Sequence, residues 1–569
     1  MQSRSLSSVP LALAIALVLT ACGGGGGDDG LTPTSTQAPI AHPQTKAAGS
    51  RFLAQASFGG TESEIGVMSA MGYERWLQMQ FGTPASSHLA YFDAQLAKPD
   101  SDGRPRIDWV YNSFWEKALS APDQLRQRVA YALSQIFVIS AADSTVDDYP
   151  RGIAAYMDML GRHAFGNFRD LLEDVARHPM MGLYLSHLRN QKEDPETGRV
   201  PDENFAREIM QLFSIGLYEL DPDGSVRRDG NGKPLETYTN DDITGLAKVF
   251  TGFSWAGPDQ SDARFRGSTK SPNRDVEPMQ GYPKYHSGSE KRFLGVTIPA
   301  QSSADPDESL RIAIDTLFAH PNVGPFIGRQ LIQRLVASNP SPAYVGRVSA
   351  AFNDNGLGVR GDMRAVIRAV LFDQEARDDN SASASAGKLR EPVLRVAQWL
   401  RAFQAVSASG EYHVGVTDDA SSSIGQTPMR APSVFNFYRP GYIAPNTPSG
   451  DAGLVAPEMQ ITHETSVAGY LNTMRVAVDR GFGRDNPRDL QPDYTRLISL
   501  TTDPPALADR LDLLLMHGTM SASLRERITT AVESVTIPAD PTRVAGALRN
   551  RAMLATFLVL ASPEYLVMK

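Results

Sequence analysis

The side chains best suited to chemistry stand in one short stretch, Asn204-Phe205-Ala206-Arg207-Glu208-Ile209-Met210-Gln211-Leu212-Phe213. Asn204, Arg207, Glu208 and Gln211 recur at i, i+3, i+4 and i+7. A helix over 203–217 therefore gathers them into one polar stripe, with Phe205, Ile209, Leu212, Phe213 and Leu217 on the opposite arc. Enclosed in a cavity, Glu208 beside Arg207 would be a positioned carboxylate for acid/base work or metal ligation. Left open, the stripe is a solvated helix face. His286, in Tyr285-His286-Ser287-Gly288, sits in a polar, glycine-bearing loop from which an imidazole can reach a site without being packed; an idle surface histidine is the plainer alternative. Asn204, Arg207, Glu208 and His286 form the expected catalytic set.

Other motifs carry less. His178-Pro179 and His320-Pro321 read as helix-start signals, with proline in the first turn, rather than metal ligands. Asp221, Asp223, Ser225 and Asp229 have the spacing of a calcium loop, but Val226 and Gly232 stand where glycine and glutamate are required, so a β-hairpin is expected there. The chain has no Gly-x-Ser-x-Gly, no His-Glu-x-x-His and no Gly-x-x-x-x-Gly-Lys, which removes the common hydrolase, zincin and nucleotide signatures. The run from Phe435 to Tyr442 can stack on sugars or fill a core. No cofactor or metal is assigned by these patterns.

The elements that must position these residues are mainly helical. Apolar residues at three- and four-residue intervals predict helices over 51–58, 62–81, 109–119, 123–139, 152–161, 167–177, 179–188, 203–217, 241–250, 307–319, 323–336, 342–353, 363–371, 390–405, 504–516, 522–535 and 544–561. The stretch 125–138 is apolar nearly all round toward its end and reads as a buried helix. A hairpin insertion is expected over about 218–238, a long irregular loop over about 256–301, and a low-complexity linker over 381–386. The fold class is thus a mainly α body with a small β-hairpin insertion.

At 569 residues, with 41% hydrophobic and 21% charged, the chain is ordinary globular material long enough for a large core. A formal charge of −9 and the lack of a long Lys/Arg run argue against a nucleic-acid partner. Residues 1–21 read as a signal segment: Arg4, then the apolar run Val9 to Leu19, too short to span a membrane. Leu19-Thr20-Ala21-Cys22 matches the bacterial lipobox, and Cys22 is the only cysteine, so lipidation at Cys22 is expected and disulfides are not. Residues 22–48, with a glycine run from Gly23 to Gly27, read as a tether, leaving 49–569 as the folded body. Acyl chains on Cys22 would hold the protein on a membrane, each buried methylene contributing about 0.8 kcal/mol. Gly23 in place of aspartate favours the outer membrane or its periplasmic face.

Taken together these segments resemble the bacterial family known as domain of unknown function 1800, from about Arg51 to the end. The resemblance rests on Arg51 to Gly59, Asn204 to Gly216, Tyr238-Thr239-Asn240-Asp241-Asp242, Val249 to Phe253, His286 to Gly295, His320-Pro321 with Phe326-Ile327, Arg390-Glu391-Pro392 and Pro432 to Tyr438. It implies an exported, mainly helical protein, with an exported sulfatase- or alkaline-phosphatase-like protein as a partner. The chain departs from some relatives at Ser134-Gln135-Ile136, where they carry His-x-His, and at Gln211, where many carry Glu. The expected function is a lipid-anchored envelope protein that binds or processes an envelope or extracellular polymer. The alternatives are a non-catalytic scaffold for the phosphatase-like partner and a metal-dependent hydrolase using Glu208 and His286.

Overall fold

The computed structural model describes residues 42–99, 102–378, 383 and 385–569. The expected signal segment, Cys22, the expected tether as far as residue 41 and half of the expected 381–386 linker lie outside them. Among the described residues helices dominate, and the strands are antiparallel pairs two or three residues long. The first described helix, Lys46–Ala56, is capped by Thr45 and so begins three residues before the expected start of the folded body at 49.

Local chemistry explains most boundaries. Thr61 and Glu64 close a capping box on the helix Glu62–Met71, and Thr239 and Asp242 close another on Asn240–Val249. Gly72, at φ 81°, splits the expected 62–81 helix into Glu62–Met71 and Tyr73–Gly82. The expected 123–139 helix stops at Ser134; its buried character holds, with Leu125, Val129 and Leu133 fully inaccessible, but Gln135 to Val138 continue as buried irregular chain. Besides several one-turn helices, two longer ones, His88–Leu96 and Glu464–Arg480, lie outside the expected ranges. The second is exposed on much of its surface, so its buried residues Tyr470, Met474, Ala477 and Val478 make only a thin stripe.

One apolar core runs from Phe52 to Tyr565 and includes the fully buried indoles of Trp115 and Trp399. The 218–238 insertion is more than a hairpin. Its three short segments bridge pairwise, Tyr218 with Glu236, Leu220 with Val226 and Arg228 with Pro234, while the Asp223 and Asp229 carboxylates accept backbone N–H groups inside the turns. The 256–301 loop also carries structure: Phe253–Ser254 pairs with Gln280–Gly281, and Lys291–Phe293 with Val296–Ile298. The latter strand lies so close to the helix Asn240–Val249 that a Cβ on Gly245 would overlap the Arg292 carbonyl.

Another strand pair fixes a loop near the C-terminal half. Val406–Ser407 bonds to Leu490–Gln491, which clamps the 408–413 loop against the segment after the helix Glu464–Arg480. Behind that segment, Phe482 packs on Trp115 of the helix Asp108–Ser120, with ring centroids 5.7 Å apart.

Candidate functional site

The predicted polar stripe forms but divides itself between core and solvent. Its helix, Asn204–Gln211, is held by Phe205, which stacks on His187 at 3.9 Å and meets Phe250 edge-on at 4.7 Å. Arg207 is half-exposed, 3.7 Å from Glu203; Asn204 is exposed; and Gln211 accepts a hydrogen bond from the Tyr238 hydroxyl at 3.1 Å. Glu208 is buried, its Oε2 has no partner, and burial raises its pKa against the opposing pull of Arg207.

His286 is placed elsewhere and is not free to reach a site. It is fully buried, its Nδ1–H donates to the Thr251 carbonyl at 2.8 Å, and its Nε2 faces the Ser309 hydroxyl at 3.0 Å. Burial draws its pKa down to about 4, so the ring is neutral. The expectation of an unpacked loop histidine is therefore corrected: Gly252, at φ 77°, lets the backbone of His286 come so near that a Cβ there would meet it at 2.7 Å. Its polar neighbours are Thr251, Ser309 and, through Ser287, Glu193; no hydrogen bond or ion pair among the described residues joins it to Asn204, Arg207 or Glu208. Nor do the described residues contain a group of three His, Cys, Asp or Glu side chains arranged for a metal ion. His178 does cap the helix Pro179–Tyr184 as its spacing implied.

The structure assembles a different constellation in a cleft of about 370 Å³. The first turn of the helix Asp108–Ser120 contributes Asp108, Trp109 and Asn112; Lys98 follows the helix His88–Leu96; Glu411 and His413 come from the clamped loop, Arg484 and Asp485 from the segment facing it. Asp489, itself buried, ties that loop down by accepting from the Ser409 and His413 backbone N–H groups at 2.7 and 2.8 Å and from the Ser407 hydroxyl at 2.8 Å. Tyr412 takes a left-handed conformation, φ 58°, and the two neighbouring side chains turn into the cleft.

There the His413 imidazole lies between two carboxylates, Nε2 to Glu411 and Nδ1 to Asp485, each at 2.9 Å. Burial alone would lower its pKa, but the two carboxylates outweigh it and the pKa is raised, which favours an imidazolium donating from both nitrogens. The other charges pair as well: Lys98 with Glu411, Arg484 with Asp108 at 3.0 Å, and Arg106 with Asp102 at 3.2 Å. Trp109 shows part of its indole to the cleft and packs edge-on against Phe92 at 5.2 Å. The arrangement offers fixed donors and acceptors, one aromatic side chain, and an imidazole biased toward its protonated form.

Sequence reasoning passed over this cleft because its members are separated by up to several hundred positions and no motif links them. The Glu411-x-His413 spacing and the glycine-flanked Arg484-Asp485 were the signals within reach.

A helical body with a charge-paired cleft defines a class rather than an activity. Residues 51–567 match the family described as protein of unknown function (DUF1800), and the chain belongs to it. No curated protein and no solved structure matches the chain.

Proposed function

We propose that this protein is a lipid-anchored component of the cell envelope that holds a hydroxyl-rich polymer, a glycan of the envelope or exterior, in the cleft around His413. The observation that carries this reading is the pairing of every cation in the cleft with a carboxylate beside Trp109, which lines the same cleft. A polyanion or polycation would need an excess of one sign. A neutral sugar needs alternating donors and acceptors for its hydroxyls and an apolar plate for its ring face, which Trp109 supplies. The lipobox ending at Cys22 supports the anchor.

Two measurements test the two halves. Metabolic labelling with a radioactive fatty acid should mark the wild-type chain and leave Cys22→Ala unlabelled; an unlabelled wild type ends the anchor. On an array of bacterial envelope and extracellular glycans, the wild-type chain in detergent should retain at least one class. Trp109→Ala and His413→Ala should each weaken that binding about tenfold, the worth of roughly 1.4 kcal/mol, when measured well below each variant's own melting temperature, which the lost Phe92 packing or carboxylate pairs will lower. An array with no retained glycan, or variants that bind unchanged, would end the cleft reading.

A further inference from the structure

Apart from the cleft, the interior holds several buried cations around one cavity. Arg128, Lys388 and Arg390 are each at least 97% inaccessible, and all three line one small cavity with Ser57, Phe58 and Gln398. No carboxylate lines it. The two buried acids nearby are occupied: Glu458 holds the Lys388 ammonium, and Glu391 accepts from Gln135, Gln426 and Tyr438.

Lys388 is satisfied by Glu458 and the Gln333 carbonyl, but the two guanidinium groups keep donors to spare. Arg128 gives one nitrogen to the Arg334 carbonyl at 2.6 Å, but its Nε and Nη1 have no partner. Arg390 binds Gln398 and the Tyr565 carbonyl and lies over the Tyr565 ring at 4.2 Å, leaving its Nε unpartnered. Arg334 and Arg395, also buried, stand close by on Tyr438 and Tyr470, at 5.4 and 5.1 Å from the ring centroids. Burial pulls the Arg390 guanidinium down to about 10 and lowers Arg128, as expected of charges that protein partners do not fully compensate. Unpaired buried charge is strongly unfavourable, and unused buried donors add to the cost.

We infer that this cavity is an internal halide site, occupied by chloride. Charge selects an anion over water. Size leaves only a monatomic one: the free space, about 10 Å³, is at the lower limit for a single water and too little for phosphate or a carboxylate, so chloride enters with a small outward shift of the wall. The apolar part of the wall, Phe58, Leu335 and Leu394, suits a large, weakly hydrated ion. The ion would join the residues after the first helix, Lys46–Ala56, to the helix Gln124–Ser134 through Arg128, and to the Lys388–Leu389 strand with its partner Val567–Met568.

Bromide is the probe. Crystals of the purified full chain grown in sodium bromide, measured at the bromine absorption edge, should show an anomalous peak within hydrogen-bond reach of Arg128 Nη1 and Arg390 Nε. In solution, the melting temperature of the wild type should be about 2 °C higher in sodium chloride than in sodium gluconate of equal ionic strength, at roughly a hundredfold excess over the dissociation constant. Arg128→Met should abolish that difference; if it does not fold, Arg390→Met, which leaves no carboxylate unpaired, serves the same purpose. A cavity without an anomalous peak in saturating bromide, or equal melting in the two salts, overturns the inference.

Discussion

Glu391→Ala is expected to destabilise the protein by about 3–5 kcal/mol, read as a lowered denaturant midpoint at unchanged m-value. The carboxylate is 1% exposed, and its Oε2 accepts three hydrogen bonds: from Gln135 and Gln426 at 2.6 Å each and from the Tyr438 hydroxyl at 2.8 Å. These donors come from the end of the helix Gln124–Ser134 and from two loops, so the side chain ties three remote segments to the start of the helix Pro392–Ala402. Removing it leaves buried amide and hydroxyl donors without acceptors and a cavity around them. Glu391→Gln is expected to cost less, about 1–3 kcal/mol, because the amide oxygen still accepts while its NH2 faces other donors. An alanine variant within about 1 kcal/mol of the wild type would show that water replaces the carboxylate there.

The second large effect is loss of stability in mild acid. Burial draws His178 down to about 3 and His187 and His286 to about 4, and it lowers His88 and His517 as well. The direction follows from linkage. Each ring titrates near 6.5 in the unfolded chain, so as the pH falls below that value the unfolded state takes up protons that the folded state refuses. The stability these rings allow is therefore complete above about pH 6.5 and declines until each folded pKa is reached. For His187 and His286 the full interval corresponds to about 3 kcal/mol each. His413 acts in the opposite sense, since its raised pKa adds stability that is complete below about 6.5 and lost as pH rises through the folded value. One half-buried ring does not offset several fully buried ones. Denaturant unfolding at pH 7.5, 6.0, 5.0 and 4.5 should show a steadily steeper decline. His187→Phe, which keeps the stack on Phe205 and gives up one hydrogen bond to the Ala176 carbonyl, should flatten the acid limb by up to one proton. A stability constant from pH 7.5 to 4.5 would contradict the burial of these rings as neutral groups.

The two readings of histidine make the same point from opposite sides. His286 lies in a polar, glycine-bearing loop that suggests freedom, yet Gly252 serves close packing and both ring nitrogens are used inside. His413 is absent from the expected catalytic set, yet it carries two carboxylates in an open cleft. Composition around a histidine reports the conformational freedom of the chain, whereas its chemistry depends on which distant charges fold against it.

The amino-acid pattern by itself determined the helical class and most helix positions, since apolar periodicity and capping residues act within a few turns: Thr61 with Glu64, and Thr239 with Asp242, both mark helix starts in the structure. It also determined the polar stripe as a helix face, and the family. Only the tertiary structure decided that Glu208 is buried while Arg207 is not, that Glu391 is a central acceptor, and that Lys98, Trp109, His413 and Asp485 share a cleft. Those outcomes depend on contacts between residues up to several hundred positions apart, and local periodicity carries no information about which faces meet.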